Sequence, residues 1–185
     1  FSQRTILQAP EFFRRAIALD PNYAQAHAGL ADALAQQAQW RFAPAAQVMG
    51  EGTVAANRAL DLAPNLAEAH LAQGHLRSVA GDADGARRAF ERALELNPGL
   101  FDAWHYYARD CYSRGEYARA AELFQRAHRV RPDDFTPLIF AASSLRALGD
   151  DEGARTLTAR AAAGLMKQCE LEPDNLRAHY LAAGV

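Results

Sequence analysis

The sequence is short of lysine and of cysteine, and it carries no strong charge of either sign. Lys167 is the single lysine, and 20 Lys+Arg against 22 Asp+Glu leave a formal net charge of −2. That balance offers no positive field to gather a phosphate backbone, so nucleic acid is not an expected partner. The two cysteines, Cys111 and Cys169, lie far apart without CxxC spacing. They suggest neither a disulfide framework nor a zinc knuckle and read as small packed apolar groups. No uncharged apolar run approaches the roughly 20 residues needed to span a bilayer, and Phe1-Ser2-Gln3-Arg4 shows no signal-peptide pattern. A cytoplasmic chain with no membrane partner is expected, with a periplasmic one left open because the sequence does not begin with Met.

Catalytic motifs are missing as well. There is no HExxH, GxGxxG, P-loop or GxSxG, and the nearest glycine-rich piece, Gly50-Glu51-Gly52-Thr53, sits in a helix-like stretch with no strand before it. The expectation is therefore no enzyme, no catalytic residue, no cofactor and no metal. His75 and His105 have no clustered carboxylate or cysteine at ligand spacing. Glu11, Glu51, Glu91, Glu95 and Glu122 stand near arginines at helical spacings and read as solvated pairs, each adding about 0.3 kcal/mol.

What is abundant is alanine, nearly a quarter of the chain, within a composition that is 50% hydrophobic. High helix propensity and close helix packing point to an all-α protein. Arginine used in place of lysine together with so much alanine is the usage of a high-GC, bacterial genome.

The chain repeats itself. Phe13-Arg14-Arg15-Ala16-Ile17-Ala18-Leu19-Asp20-Pro21 matches Ala56-Asn57-Arg58-Ala59-Leu60-Asp61-Leu62-Ala63-Pro64, and both match Phe90-Glu91-Arg92-Ala93-Leu94-Glu95-Leu96-Asn97-Pro98. Phe124 to Pro132 and Lys167 to Pro173 continue the series, so helix-closing prolines fall at 21, 64, 98, 132 and 173, at intervals of 43, 34, 34 and 41. From 101 to 132, Trp104, Tyr107, Ala108, Ala120, Phe124, Ala127 and Pro132 stand at fixed offsets. From 67 to 98 the matching residues are His70, Gln73, Gly74, Ala86, Phe90, Ala93 and Pro98, with Gln73 where leucine is usual.

Two 34-residue periods of paired amphipathic helices with this pattern resemble the tetratricopeptide repeat (TPR). The resemblance implies a right-handed superhelical solenoid of helix-turn-helix repeats over 1–185. Four full repeats, 24–64, 67–98, 101–132 and 135–173, lie between a half repeat at 10–21 and another at 176–185. Gly81, Gly115 and Gly149 are expected to end first helices with positive φ, and Asp82, Glu116 and Asp150 to start the second helices near their positive dipole ends. The 43-residue unit carries nine extra residues near 38–46, and Trp40 and Phe42 there read either as partner anchors in a protruding loop or as a cover for the helix that follows. The 41-residue unit predicts one long second helix, roughly Asp151 to Glu172, from the unbroken spacing of Ala154, Leu157, Ala161, Leu165 and Cys169.

In such solenoids the first helices line a concave ligand-binding face. At about 100° per residue, that face holds Asp32 in one unit, Leu71 and His75 in the next, then His105, Arg109 and Tyr112, then Ile139, Ser143 and Arg146. His27, His70 and His179 share one first-helix position with Trp104 and Leu138 and are expected to pack rather than bind metal. Chaperone-binding members of the family clamp a terminal carboxylate with lysines and asparagines, and none of these arc positions has either. Arg109 and Arg146, with Tyr112, His105 and Ile139 between them, instead suit a segment with one or two acidic groups.

The expected function is a non-catalytic protein-protein interaction scaffold whose partner is a protein or peptide. The longer units also resemble the TPR region of bacterial multidomain signalling proteins. That leaves open a regulatory segment of a larger cyclase, kinase or winged-helix protein, with chemistry elsewhere. Complementary half repeats at the two ends make a homo-oligomer a third possibility.

Overall fold

A computed structural model describes residues 3–185; the reading of Phe1 and Ser2 lies outside the described residues. Among these the chain forms ten helices and no strand: α1 (Gln3–Leu19), α2 (Ala24–Gln39), α3 (Ala45–Leu62), α4 (Ala67–Val79), α5 (Ala83–Leu96), α6 (Phe101–Ser113), α7 (Tyr117–Val130), α8 (Thr136–Ala147), α9 (Asp151–Leu171) and α10 (Leu176–Ala183). They fall into two compact units, Phe1–Ala103 and Trp104–Val185.

Local chemistry sets the helix ends. Pro21, Pro64, Pro98, Pro132 and Pro173 each stand two residues beyond the last residue of α1, α3, α5, α7 and α9. Proline forces its predecessor out of the helical region, and Ala63, Asn97, Arg131 and Glu172 accordingly have φ of −143°, −142°, −131° and −130°. Gly81, Gly115 and Gly149 turn the chain at φ of 80°, 77° and 81°, a region glycine enters without a Cβ penalty. Just after two of these turns, Asp82 accepts from the Gly85 N–H at 2.9 Å and Asp150 from the Gly153 N–H at 2.8 Å, satisfying first-turn donors. Glu116 makes no such cap and pairs with Arg114 at 3.0 Å instead.

The nine extra residues of the first long unit do not form a loop. Relative to α4 and α5, helix α2 is three residues longer and α3 four, and the turn at 40–44 is two residues longer than the one at 80–82. Trp40 and Phe42 thus sit in a tight turn between two lengthened helices, Trp40 half exposed and Phe42 half buried. In the second long unit all seven extra residues enter α9, one unbroken helix of 21 residues.

Helix α1 departs from the sequence expectation. It begins at Gln3 rather than near Pro10, and Pro10 lies inside it. A proline there has no N–H for the carbonyl of Ile6. The buried amide of Gln37 on α2 supplies the missing donor, its Nε2 lying 3.1 Å from the Ile6 oxygen and 3.2 Å from the Leu7 oxygen.

Unit Phe1–Ala103 packs α2 against α1, α3 and α4, and α4 against α3 and α5. Its core joins Leu30, Leu34, Val48 and Leu76 through alanines at positions 31, 35, 38, 55, 56 and 72. Small residues admit large ones: a Cβ on Gly74 would come within 2.8 Å of the Phe90 ring, so the missing methyl lets α4 and α5 close up. In unit Trp104–Val185, α8 packs on α7 and α9, and α10 on α9. Tyr107, Phe124, Leu138 and Leu165 are its largest buried side chains.

Candidate partner-binding faces

In unit Phe1–Ala103 the first-helix arc is mostly closed. Leu71 and His75 on α4 are 5% and 1% exposed, while Asp32 on α2 remains partly accessible. The structure brings Asp32 and His75 together: the Asp32 Oδ1 accepts from the His75 Nδ1 at 2.8 Å, and Oδ2 accepts from the Gln36 Nε2 at 2.7 Å. The second ring nitrogen of His75 lies 3.1 Å from the Gln39 Oε1. A carboxylate on Nδ1 fixes the proton of the neutral ring there, which leaves Nε2 to pair with whichever end of the Gln39 amide the network selects. Gln36 and Gln39 escaped the sequence reading, because nothing in an alanine-rich helix marks a glutamine as part of a buried network.

In unit Trp104–Val185, first helices α6 and α8 are neighbours. The ring of His105 meets Phe140 at 6.0 Å and Phe124 at 5.6 Å, and Phe124 stacks on Phe140 at 5.3 Å. Burial, and then the charge of Arg109, push the His105 pKa down to about 4. Burial also lowers the pKa of the half-buried Arg109, with Tyr106 acting the other way. Tyr112 packs edge-on against Tyr117 at 5.3 Å. Ser143 donates its hydroxyl proton to the Ile139 carbonyl at 3.0 Å. Ile139 borders a cleft of about 280 Å³ with Tyr180, Leu181 and Val185. Arg146 is exposed in the last turn of α8 and makes no ion pair among the described residues.

A third arrangement lies at the junction of α8 and α10. Arg177 reaches Asp134 at 3.3 Å and the Thr136 hydroxyl at 3.0 Å. Burial works to raise the Asp134 carboxyl, yet hydrogen bonds from Thr136 and the Arg177 charge outweigh it and hold the group below the usual range.

The histidines at the shared first-helix position have a structural task. His27, His70 and His179 each direct Nε2 at the carbonyl of the proline six residues earlier, at 3.0, 2.9 and 2.9 Å from Pro21, Pro64 and Pro173. Each therefore ties the start of a first helix to the turn before it. Glu51 pairs with Arg14 of α1 in a two-pronged contact of 2.8 and 2.7 Å, across helices and not at a helical spacing. Cys111 is buried, which together with Glu116 pushes its thiol up to about 12; Cys169 is only half buried. Among the described residues no group of three or more His, Cys, Asp or Glu side chains is placed to hold a metal ion, and no helix is long and apolar enough to cross a membrane.

Residues 80–134 match the tetratricopeptide repeat family. No curated protein sequence matches the chain. Among solved structures, a crystal structure of MamA is 17% identical over 89% of this chain and 91% of its own, with a TM-score of 0.68. TTC0263, a thermophilic TPR protein of Thermus thermophilus, is 15% identical over 97% of this chain and 89% of its own, at 0.69. YrrB, a TPR protein with an unusual peptide-binding site, is 17% identical over 96% and 84%, at 0.56. At such identities the likeness shows the fold, an all-α solenoid of stacked hairpins. Residues 80–134 are thus tetratricopeptide repeat by sequence, and the helices to either side share the fold of proteins built from that repeat.

Proposed function

We propose that this chain is a recognition scaffold without chemistry of its own, and that it holds an acidic peptide segment on the first-helix face of unit Trp104–Val185. The observation that carries the reading is the contact of His105 with Phe140. It makes α6 and α8 neighbours, so the arcs bearing Arg109 and Tyr112 on one helix and Ile139 and Arg146 on the other adjoin. Arg146 is exposed and Tyr112 is 38% exposed, which offers one cation and one aromatic surface to an incoming chain. A guanidinium grips a carboxylate through two parallel hydrogen bonds, while Tyr112 and Ile139 supply apolar area at little cost in side-chain entropy. A peptide-binding site in a neighbour of the same fold supports this reading.

The test is selection of a random peptide display library on the 185-residue chain. Glu- or Asp-bearing peptides with an apolar neighbour are expected. Their affinity should fall at least tenfold in an Arg109→Gln, Arg146→Glu variant of unchanged helical circular dichroism. Selected peptides without acidic residues, or equal binding to the variant, would refute the proposal.

A further inference from the structure

Unit Phe1–Ala103 holds a second place suited to a partner, of opposite charge preference. Between α1 and α2 lies a cleft of about 230 Å³ whose walls include Ile6, Ala9 and Phe13 from α1 and Ala33 from α2, with Thr5, Asp32 and Gln36 as polar members. Its volume is below that of an ordinary small-molecule pocket, about 300–1,000 Å³, and suits a single long side chain.

The polar end is built rather than incidental. Asp32 is held by two neutral-capable donors, the Nδ1 of the almost fully buried His75 at 2.8 Å and the Nε2 of Gln36 at 2.7 Å, one on each carboxylate oxygen. No arginine or lysine reaches Asp32 among the described residues. A carboxylate offers about four lone-pair sites; two are filled, and one remains on each oxygen. That leftover pattern matches the two-pronged fork of a guanidinium better than the point charge of an ammonium. Because its amide donates through nitrogen, Gln36 keeps its Oε1 as a further acceptor at the cleft. The apolar walls meet the methylene stem that an arginine lays along hydrocarbon while its head stays polar. Gly29 completes the shape: a Cβ there would overlap the Phe13 ring, which instead lies directly on α2.

We infer that the α1–α2 cleft is a receptor for one arginine side chain of a partner peptide, with Asp32 as the ion-pairing group and His75 and Gln36 as the residues that position it. This site is independent of the acidic-peptide face in the other unit, and each is tested by variants that leave the other untouched.

The experiment is an amide NMR titration of the full 185-residue chain with N-acetyl-arginine amide, its uncharged isostere N-acetyl-citrulline amide, and N-acetyl-lysine amide. Arginine is expected to shift amides of residues 5–13 and 29–36 in a saturable way, at least tenfold more tightly than citrulline or lysine. Asp32→Asn should weaken the arginine response tenfold or more. Should that variant fail to keep its helical circular dichroism, Ala9→Leu, which fills the cleft from α1 without touching Asp32, should give the same loss. Equal binding of citrulline or of lysine, arginine shifts confined to other residues, or full arginine binding to Ala9→Leu would each overturn the assignment.

Discussion

The side-chain amide of Gln37 lies 3.1 Å from the carbonyl oxygen of Ile6, the acceptor that Pro10 leaves without its helical donor. Two sequence features that look unrelated, a proline inside α1 and a glutamine buried in α2, are halves of one contact. Gln37→Leu should leave the Ile6 and Leu7 carbonyls unsatisfied and lower stability by about 1–3 kcal/mol. In a Pro10→Ala background, where the helix regains its own N–H, the same change should be milder. Urea unfolding of the four proteins of this cycle measures the difference; strict additivity would break the link between the two residues.

Two glycines in helix interiors should respond to alanine with opposite signs. Nothing lies within 4 Å of a Cβ built on Gly50, whereas one on Gly74 meets Phe90 at 2.8 Å. Gly50→Ala should raise stability by about 0.5–1 kcal/mol through helix propensity. Gly74→Ala should lower it by about 1–3 kcal/mol through overpacking. Thermal unfolding distinguishes them, and a stabilising Gly74→Ala would show that α4 and α5 do not approach as closely as described.

His105 makes stability depend on acidity in a defined direction. Its folded pKa of about 4 lies below the ordinary 6.5, so as pH falls through that interval the unfolded chain takes up a proton the folded chain refuses. The stabilising difference is present above pH 6.5 and is lost on the way down to pH 4. The linkage amounts to about 2 kcal/mol between pH 7 and pH 5. His105→Phe removes the titration and should show a correspondingly smaller loss over the same range in guanidinium unfolding. Parallel curves for both proteins would contradict it.

Two classes of histidine should differ in tautomer. In their neutral forms, His27, His70 and His179 should carry the proton on Nε2, facing a proline carbonyl. His75 and His128 should carry it on Nδ1, facing the Asp32 carboxylate and the Asp134 carbonyl. Long-range nitrogen–proton correlation spectra report the assignment residue by residue, and Nε2 protonation at His75 would remove the basis for a positioned Asp32.

The repeat was legible because its causes are local. Prolines at 21, 64, 98, 132 and 173 end helices wherever they stand, and Gly81, Gly115 and Gly149 take positive φ because only the backbone at that residue decides it. The continuous apolar spacing after Asp151 likewise announced the length of α9. What escaped the sequence depends on contacts between helices. Pro10 reads locally as a helix start, and only Gln37, brought in by packing, allows the helix to run through it. Periodicity puts Leu71, His75 and Asp32 on one arc, but it does not reveal that the first two are buried against neighbouring helices while the third opens on a cleft. Glu51 reads as half of a pair at helical spacing, yet its nearest arginine in sequence, Arg58, stands seven residues on, and its partner Arg14 comes from another helix.

The most direct test of the scaffold reading is the site at which a selected acidic peptide touches the labelled 185-residue chain. The account predicts amide shifts concentrated at residues 105–112 and 139–146, on first helices α6 and α8, together with no turnover of the peptide. Shifts concentrated on second helices α7 and α9, or chemical conversion of the bound peptide, would contradict it.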